Sequence, residues 1–156
     1  MLRGCTDPEA LNYDPEAKES NNTCIYSNIS SEIIVVREND WVSLGADGYR
    51  ATKEMSSITS EILETGLVAS YLIFDDSHLQ MPASIFVAEF GGYTEHYVFS
   101  LSEGEIVFLV QDDDGLTPNP GRLEFKVVII EDQSAAIEMN LDLENYVEVS
   151  TKLNLE

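Results

Sequence analysis

The sequence predicts a mostly-β chain: an antiparallel β-sandwich of about seven to eight strands, with one short helix and a disulfide-closed N-terminal loop unit. Three observations predict it. Short runs rich in Val, Ile, Phe and Tyr recur through residues 27–132, with Gly, Asp and Asn turns between them. Cys5 and Cys24 bracket a turn-rich stretch with too few apolar residues to build its own core. Beyond residue 132 the apolar residues fall on alternate positions, the period of a strand. The expected organisation is a Cys-bounded module at 1–26, a sandwich body at 27–132 and an amphipathic β tail at 133–156.

In the module, the pairs Asp7-Pro8 and Asp14-Pro15 favour turns. Asn12, Asn21 and Asn22 add turn chemistry, and Ala10, Leu11, Tyr13 and Ala17 give a small apolar side. A Cys5–Cys24 bridge closes the unit, and a loop of that size is worth about 3 kcal/mol in the chain-entropy model. Two roles fit it. Asp7, Asn12, Asp14 and nearby carbonyls offer the oxygens that calcium prefers. The other reading is a stapled spacer that holds no metal.

The body opens on the β-branched run Ile33–Val36, followed by Trp41–Leu44, the turn Ala46-Asp47-Gly48 and a strand over Tyr49–Met55. Ser57–Thr65 is the helix, with Ser57 as cap, Ile58, Ile62 and Leu63 on one face, and Gly66 as terminator. Leu67–Phe74 reads as a central strand ending at Asp75-Asp76-Ser77. Ser84–Phe90 and Tyr93–Leu101 flank Gly91-Gly92, a hairpin signal. Glu105–Gln111 is a buried run, a polar loop follows at 112–121, and Arg122–Glu131 closes the body.

In the tail, Ile137, Met139, Leu141, Leu143, Val147, Val149, Leu153 and Leu155 share one odd-numbered phase. A single strand from Ile137 to Leu155 spans about 60 Å at 3.3 Å per residue, longer than a domain of this size holds. The tail therefore turns back as a hairpin on its own sheet, or adds to the sheet of a neighbour and builds a homo-oligomer or filament.

Charge narrows the partners. The 156 residues carry 29 Asp and Glu against 8 Lys and Arg, a formal net charge of −21. Such a surface repels nucleic acid and anionic bilayers. Cations, basic proteins and neutral glycans remain. No stretch reaches the roughly 20 apolar residues of a membrane span. The even cysteine count in a short acidic chain leans toward an oxidising compartment. The start, Met-Leu-Arg-Gly-Cys, is read as lying near a mature end from which a leader has been removed. Leu2-Arg3-Gly4-Cys5 has the outline of a lipid-attachment site, so Cys5 is read as lipidated or bridged.

The residues Gly4, Cys5, Thr6, Asp7, Pro8, Ala10, Asn12, Tyr13, Pro15, Ala17, Cys24 and Tyr26 form a pattern over 4–26. It resembles a short Cys-bounded module of exported Bacteroidetes proteins. That module usually has Asp-Gly-Ser before the second cysteine, where this chain has Asn21-Asn22-Thr23. More loosely, Trp41, Gly48-Tyr49, Ile58-Thr59, Gly66-Leu67-Val68 and Phe125–Ile130 make residues 33–131 similar to a group of small Bacteroidetes surface lipoproteins. That resemblance implies an outer-surface location and brings no activity with it.

The chemistry-bearing candidates are few. Asp112-Asp113-Asp114 is the strongest calcium candidate, with Asp75-Asp76 as helpers if the sheets bring the turns together. Trp41, Tyr49, Tyr93 and Tyr97 are either a glycan-stacking platform or core and cross-strand residues. His78 and His96 have no second ligand at metal spacing, and no phosphate loop or nucleophile elbow occurs. The expected function is that of a non-enzymatic, secreted or cell-surface structural or adhesion-type protein working through protein contacts and self-assembly. The alternative is a calcium- or glycan-binding extracellular module.

Overall fold

The computed structural model describes residues 1–155, the side chain of Phe90 excepted. Glu156, the last residue of the predicted tail, lies outside the described residues. In chain order the N-terminal unit holds β1 (Arg3–Gly4) and β2 (Glu19–Ser20). The body holds β3 (Ile29–Val36), β4 (Val42–Ser43), β5 (Tyr49–Glu54), α1 (Ser60–Thr65), β6 (Leu67–Phe74), β7 (Ser77–Gln80), β8 (Ala83–Val87), β9 (Tyr93–Ser102), β10 (Glu105–Asp112) and β11 (Leu123–Ile130). Two helices follow, α2 (Gln133–Glu138) and α3 (Tyr146–Lys152).

The body is the predicted antiparallel sandwich. One sheet runs β4-β5-β10-β9-β8 and the other β3-β11-β6-β7. Alternation along β10 sends Ile106, Phe108 and Val110 inward, where they meet Phe125, Val127 and Ile129 of β11. Phe108 and Phe125 stack between the sheets at 4.0 Å. The turns use the residues that their backbones demand. Asp75 and Asp76 join β6 to β7 with φ of 45° and 66°, the left-handed pair of a type I′ hairpin. Gly48 has φ 95°, and a Cβ there would sit 2.1 Å from the carbonyl oxygen of Val110.

Helix α1 begins two residues later than its sequence cap suggests. Thr59, not Ser57, accepts the Ile62 N–H at 3.2 Å. Predicted strand bounds also shift. Residues 77–80 pair as β7, and the Trp41–Leu44 run narrows to β4. Trp41 instead turns into the core and donates its indole N–H to the Gly121 carbonyl at 2.8 Å.

The four-stranded sheet is covered on both faces, which explains its central strand. Phe125–Ile130 is buried without interruption, unlike the alternating β10. The outward side chains Val128 and Ile130 of β11, with Ala69 and Tyr71 of β6, form a second apolar cluster. Ala135, Ala136, Val149 and Leu153 from the tail and Ile25 from the N-terminal unit cover it.

The tail is therefore helical, a correction of the predicted amphipathic strand. Both helices carry their own caps. Asp132 accepts the Ser134 N–H at 2.9 Å, and Asn145 accepts the Glu148 N–H at 3.1 Å. Each ends on an asparagine in the left-handed region, Asn140 at φ 53° and Asn154 at φ 54°. The Leu141 N–H bonds the Ala136 carbonyl at 3.2 Å, and Leu155 bonds Ser150 at 2.8 Å, closing a Schellman turn at each end. Lys152 pairs with Glu148 at 2.6 Å across one turn of α3. The odd-numbered apolar set consequently splits. Val149 and Leu153 are buried, and Met139, Leu141, Leu143 and Leu155 pack at the cluster margin. Ile137 and Val147 stand exposed.

The N-terminal unit is closed by a Cys5–Cys24 disulfide with a Cα–Cα distance of 4.9 Å. Its β1–β2 pair is parallel. Leu11 and Ile25 tie it to the second cluster, so the staple also holds part of the cover. Replacing both cysteines with Ser should cost about 3 kcal/mol in a urea melt. Loss of the near-surface unit alone, with the sandwich transition unmoved, would show that the cover does not depend on it.

Candidate functional site

The predicted acidic triple Asp112-Asp113-Asp114 does not act as one group. Asp113 accepts the Thr94 N–H at 3.0 Å, and Asp114 accepts the Leu116 N–H at 2.9 Å, so both shape the turn after β10. Asp112 continues the inward phase of β10 and is only 2% exposed. Its backbone N–H donates to the Thr117 hydroxyl at 2.8 Å, while one carboxylate oxygen is buried with no hydrogen-bond partner.

The residue that joins Asp112 is Glu95, which the sequence reading did not single out. The β9–β10 hairpin turns at Glu103-Gly104 and pairs Ser102 with Glu105, which sets Glu95 directly opposite Asp112. Both side chains point into the sandwich, in phase with Tyr97 and Val110. The Tyr97 hydroxyl donates to the Glu95 carboxylate. Residues Glu95, Tyr97, Val110, Asp112 and 117–120 line a cleft of about 180 Å³ at this end of the sandwich.

The electrostatics follow from the pairing. Burial pushes the Asp112 carboxyl above its ordinary value; the charges of Glu95, Asp114 and Asp113 add to this, and His96 opposes it. A carboxyl raised in the folded state holds its proton more tightly there than in the unfolded chain. Its stabilising share is full below the unfolded value near 3.8 and is lost as pH rises through the folded value. Burial also raises Tyr97, helped by its bond to Glu95.

The module candidates are occupied by their own turns. Asp7 accepts the Tyr26 hydroxyl at 2.6 Å and the Glu9 N–H at 3.0 Å, and the Tyr26 bond holds its carboxyl below the usual range. Asp14 accepts the Glu16 N–H at 2.9 Å. Asn12 bridges the Ile25 N–H and the Thr23 carbonyl, at 2.8 Å and 2.7 Å. Among the described residues no three His, Cys, Asp or Glu side chains converge in a group able to hold a metal. Asp75-Asp76 does not join Asp112. Asp76 lines a different cleft with His78 and Tyr146.

The aromatic candidates do not make a platform. Trp41 and Tyr97 are buried, and Tyr49 packs against the sandwich core. Aromatic contact occurs instead under the tail. His78 stacks on Tyr146 at 3.8 Å, and the Tyr71 hydroxyl donates to the Leu143 carbonyl at 2.7 Å. Burial pushes Tyr71 up to about 12 and lowers His78. His96 bonds the Ser84 hydroxyl through Nδ1 at 2.9 Å.

A second feature is the outer face of the five-stranded sheet. By register, its central rows set Val98 beside Leu109, Ser100 beside Val107 and His96 beside Gln111. Arg50 and Thr52 extend the rows through β5, and Ser84 and Phe86 through β8. Phe86 is 70% exposed. In a chain of −21, the described strand rows of this face carry acidic residues at their two ends, Glu54 with Glu105 at one and Asp113 beside Thr94 at the other.

These features define a class: an acidic β-sandwich, stapled at its N-terminus and covered on one sheet by its own tail. Comparison with known proteins finds no matching family model, curated protein or solved structure. No helix among the described residues is long and apolar enough to cross a membrane.

Proposed function

We propose that this chain is an exported, non-catalytic surface protein of the structural or adhesion type, and that it makes protein contacts through the outer face of its five-stranded sheet. The observation that carries this reading is the distribution of charge. A face whose carboxylates sit at its ends, with apolar residues at its centre, is what a chain of −21 offers to another protein with little desolvation of acidic groups. The disulfide supports an oxidising compartment and hence export. The resemblance to Bacteroidetes exported modules and surface lipoproteins points the same way. Self-assembly, in this reading, is a contact between sheet faces. The helical tail removes strand addition as its route.

The second copy is the partner to test first. Light-scattering mass should rise with concentration, and the rise should strengthen with salt, because screening relieves repulsion between two acidic bodies. The double variant Val98→Glu with Leu109→Glu should stay monomeric and melt within a few degrees of the parent. A parent chain that remains monomeric at every concentration and salt level would remove the sheet-face contact.

A further inference from the structure

We infer that the cleft at the end of β9 and β10 binds a hard divalent cation, calcium, on the carboxylates of Glu95 and Asp112. The pairing itself calls for a counter-charge. Like charges directly opposite on one face of an antiparallel ladder destabilise it. Here the ladder sets Glu95 opposite Asp112 on the inner face, where solvent screening is weakest. One Asp112 oxygen is buried without a hydrogen-bond partner, a state that costs free energy unless something fills its coordination.

The lining suits an oxygen-seeking ion. Around the two carboxylates stand the Tyr97 hydroxyl and the 117–120 loop. Pro118 and Pro120 bring carbonyl oxygens with no N–H to compete. No Lys or Arg lines the cleft among the described residues. Two carboxylates match the charge of a divalent ion. Calcium accepts a mixed, irregular set of carboxylates, carbonyls and waters, whereas magnesium demands octahedral geometry and gives up water reluctantly. A site with only two carboxylates belongs in the weak range of extracellular modules, a Kd of about 10⁻⁴–10⁻³ M.

The site is also held in shape without the ion. Thr117 accepts the Asp112 N–H. Asn119 accepts the Gly121 N–H at 2.9 Å and donates to the Glu38 carbonyl at 3.1 Å. The Trp41 indole bonds the Gly121 carbonyl from below. Glu95 is fixed by Tyr97. The loop therefore need not order on binding, which leaves more of the ion's interaction energy as affinity.

The test is a thermal melt of the full chain against calcium chloride, with sodium chloride matched for ionic strength and magnesium chloride as a second control. Calcium at ten times its Kd should raise Tm by about 3–6 °C beyond the matched salt, with magnesium weaker. Asp112→Asn and Glu95→Gln should each weaken binding at least tenfold, while Glu54→Gln on the outer face should leave it unchanged. Without added cation, Asp112→Asn should melt higher than the parent at pH 7, because it removes a buried charge. Calorimetric titration of the parent should give one ion per chain in that weak range. No calcium response beyond matched salt would overturn the site. So would a response that survives both variants, since diffuse surface acidity would then hold the ion.

Discussion

Replacing Val149 with Asp should destabilise the protein by about 4 kcal/mol, whereas Val147→Asp, two residues away, should change stability by less than about 0.5 kcal/mol. Val149 is fully buried over the four-stranded sheet, and Val147 is 73% exposed on the far side of the same helix. The introduced carboxylate at 149 would lie against the apolar side chains of Ala69, Tyr71, Val128 and Ile130. In a chain of this size the expected fall in Tm is about 8–16 °C. Urea melts of both variants check the result. The contrast is also a test of the tail's geometry. In a strand, 147 and 149 share a face, so both substitutions would hurt alike; in α3 they point apart. Equal losses would contradict the helical tail.

The tail shows where sequence periodicity misleads. Its odd-numbered apolar phase has the period of a strand because two short helices, joined by residues 139–145, happen to place most of their apolar residues on odd positions. The informative signals were local. Asp132 before Ser134 and Asn145 before Glu148 are helix starts, and Asn140 and Asn154 are stops. Ala136 and Tyr146, which break the odd phase, are the residues that complete the buried helix faces. The need for a cover was itself readable. A run such as Val127-Val128-Ile129-Ile130 buries both faces of a strand, so something had to lie over the second face. Cap chemistry decides what that cover is, and periodicity alone does not.

The sandwich was readable because its signals are redundant. Alternation in β10, the Gly91-Gly92 and Asp75-Asp76 turns and the β-branched runs all point the same way. The candidate site was half readable. Extending the β10 phase one residue sends Asp112 inward and Asp113 outward, which separates a buried carboxylate from two turn formers. Glu95 needed the register, and the register hangs on a two-residue turn at Glu103-Gly104, where Gly104 has φ 78°. Once Ser102 faces Glu105, every later pair follows, including Glu95 with Asp112. The acid-poor outer face rests on the same register. It emerges only when four strands are laid side by side, so no single segment of sequence announces it.

Phe125→Ala is expected to have a similarly large effect, about 4 kcal/mol, through the other interface of the same sheet. Phe125 is fully buried on the inner face of β11 and stacks on Phe108 of β10 across the sandwich. Truncation removes the ring's burial and leaves a cavity that two hydrogen-bonded sheets cannot close by collapsing. Phe125→Leu keeps most of the volume and should cost about 1.5 kcal/mol. The urea slope should stay that of the parent, since the unfolded chain exposes nearly the same surface. A cycle with Phe108→Ala should show a coupling of about 0.5–1.5 kcal/mol beyond the two single losses, the share of the ring–ring contact itself. Strict additivity would mean that the two rings only fill space. Because Phe125 and Val128 lie on opposite faces of one strand, a Phe125 variant should leave the Val149→Asp loss unchanged within about 0.5 kcal/mol. Strong coupling between them would show that the sandwich and its tail cover fold as one inseparable unit rather than as two layers sharing a sheet.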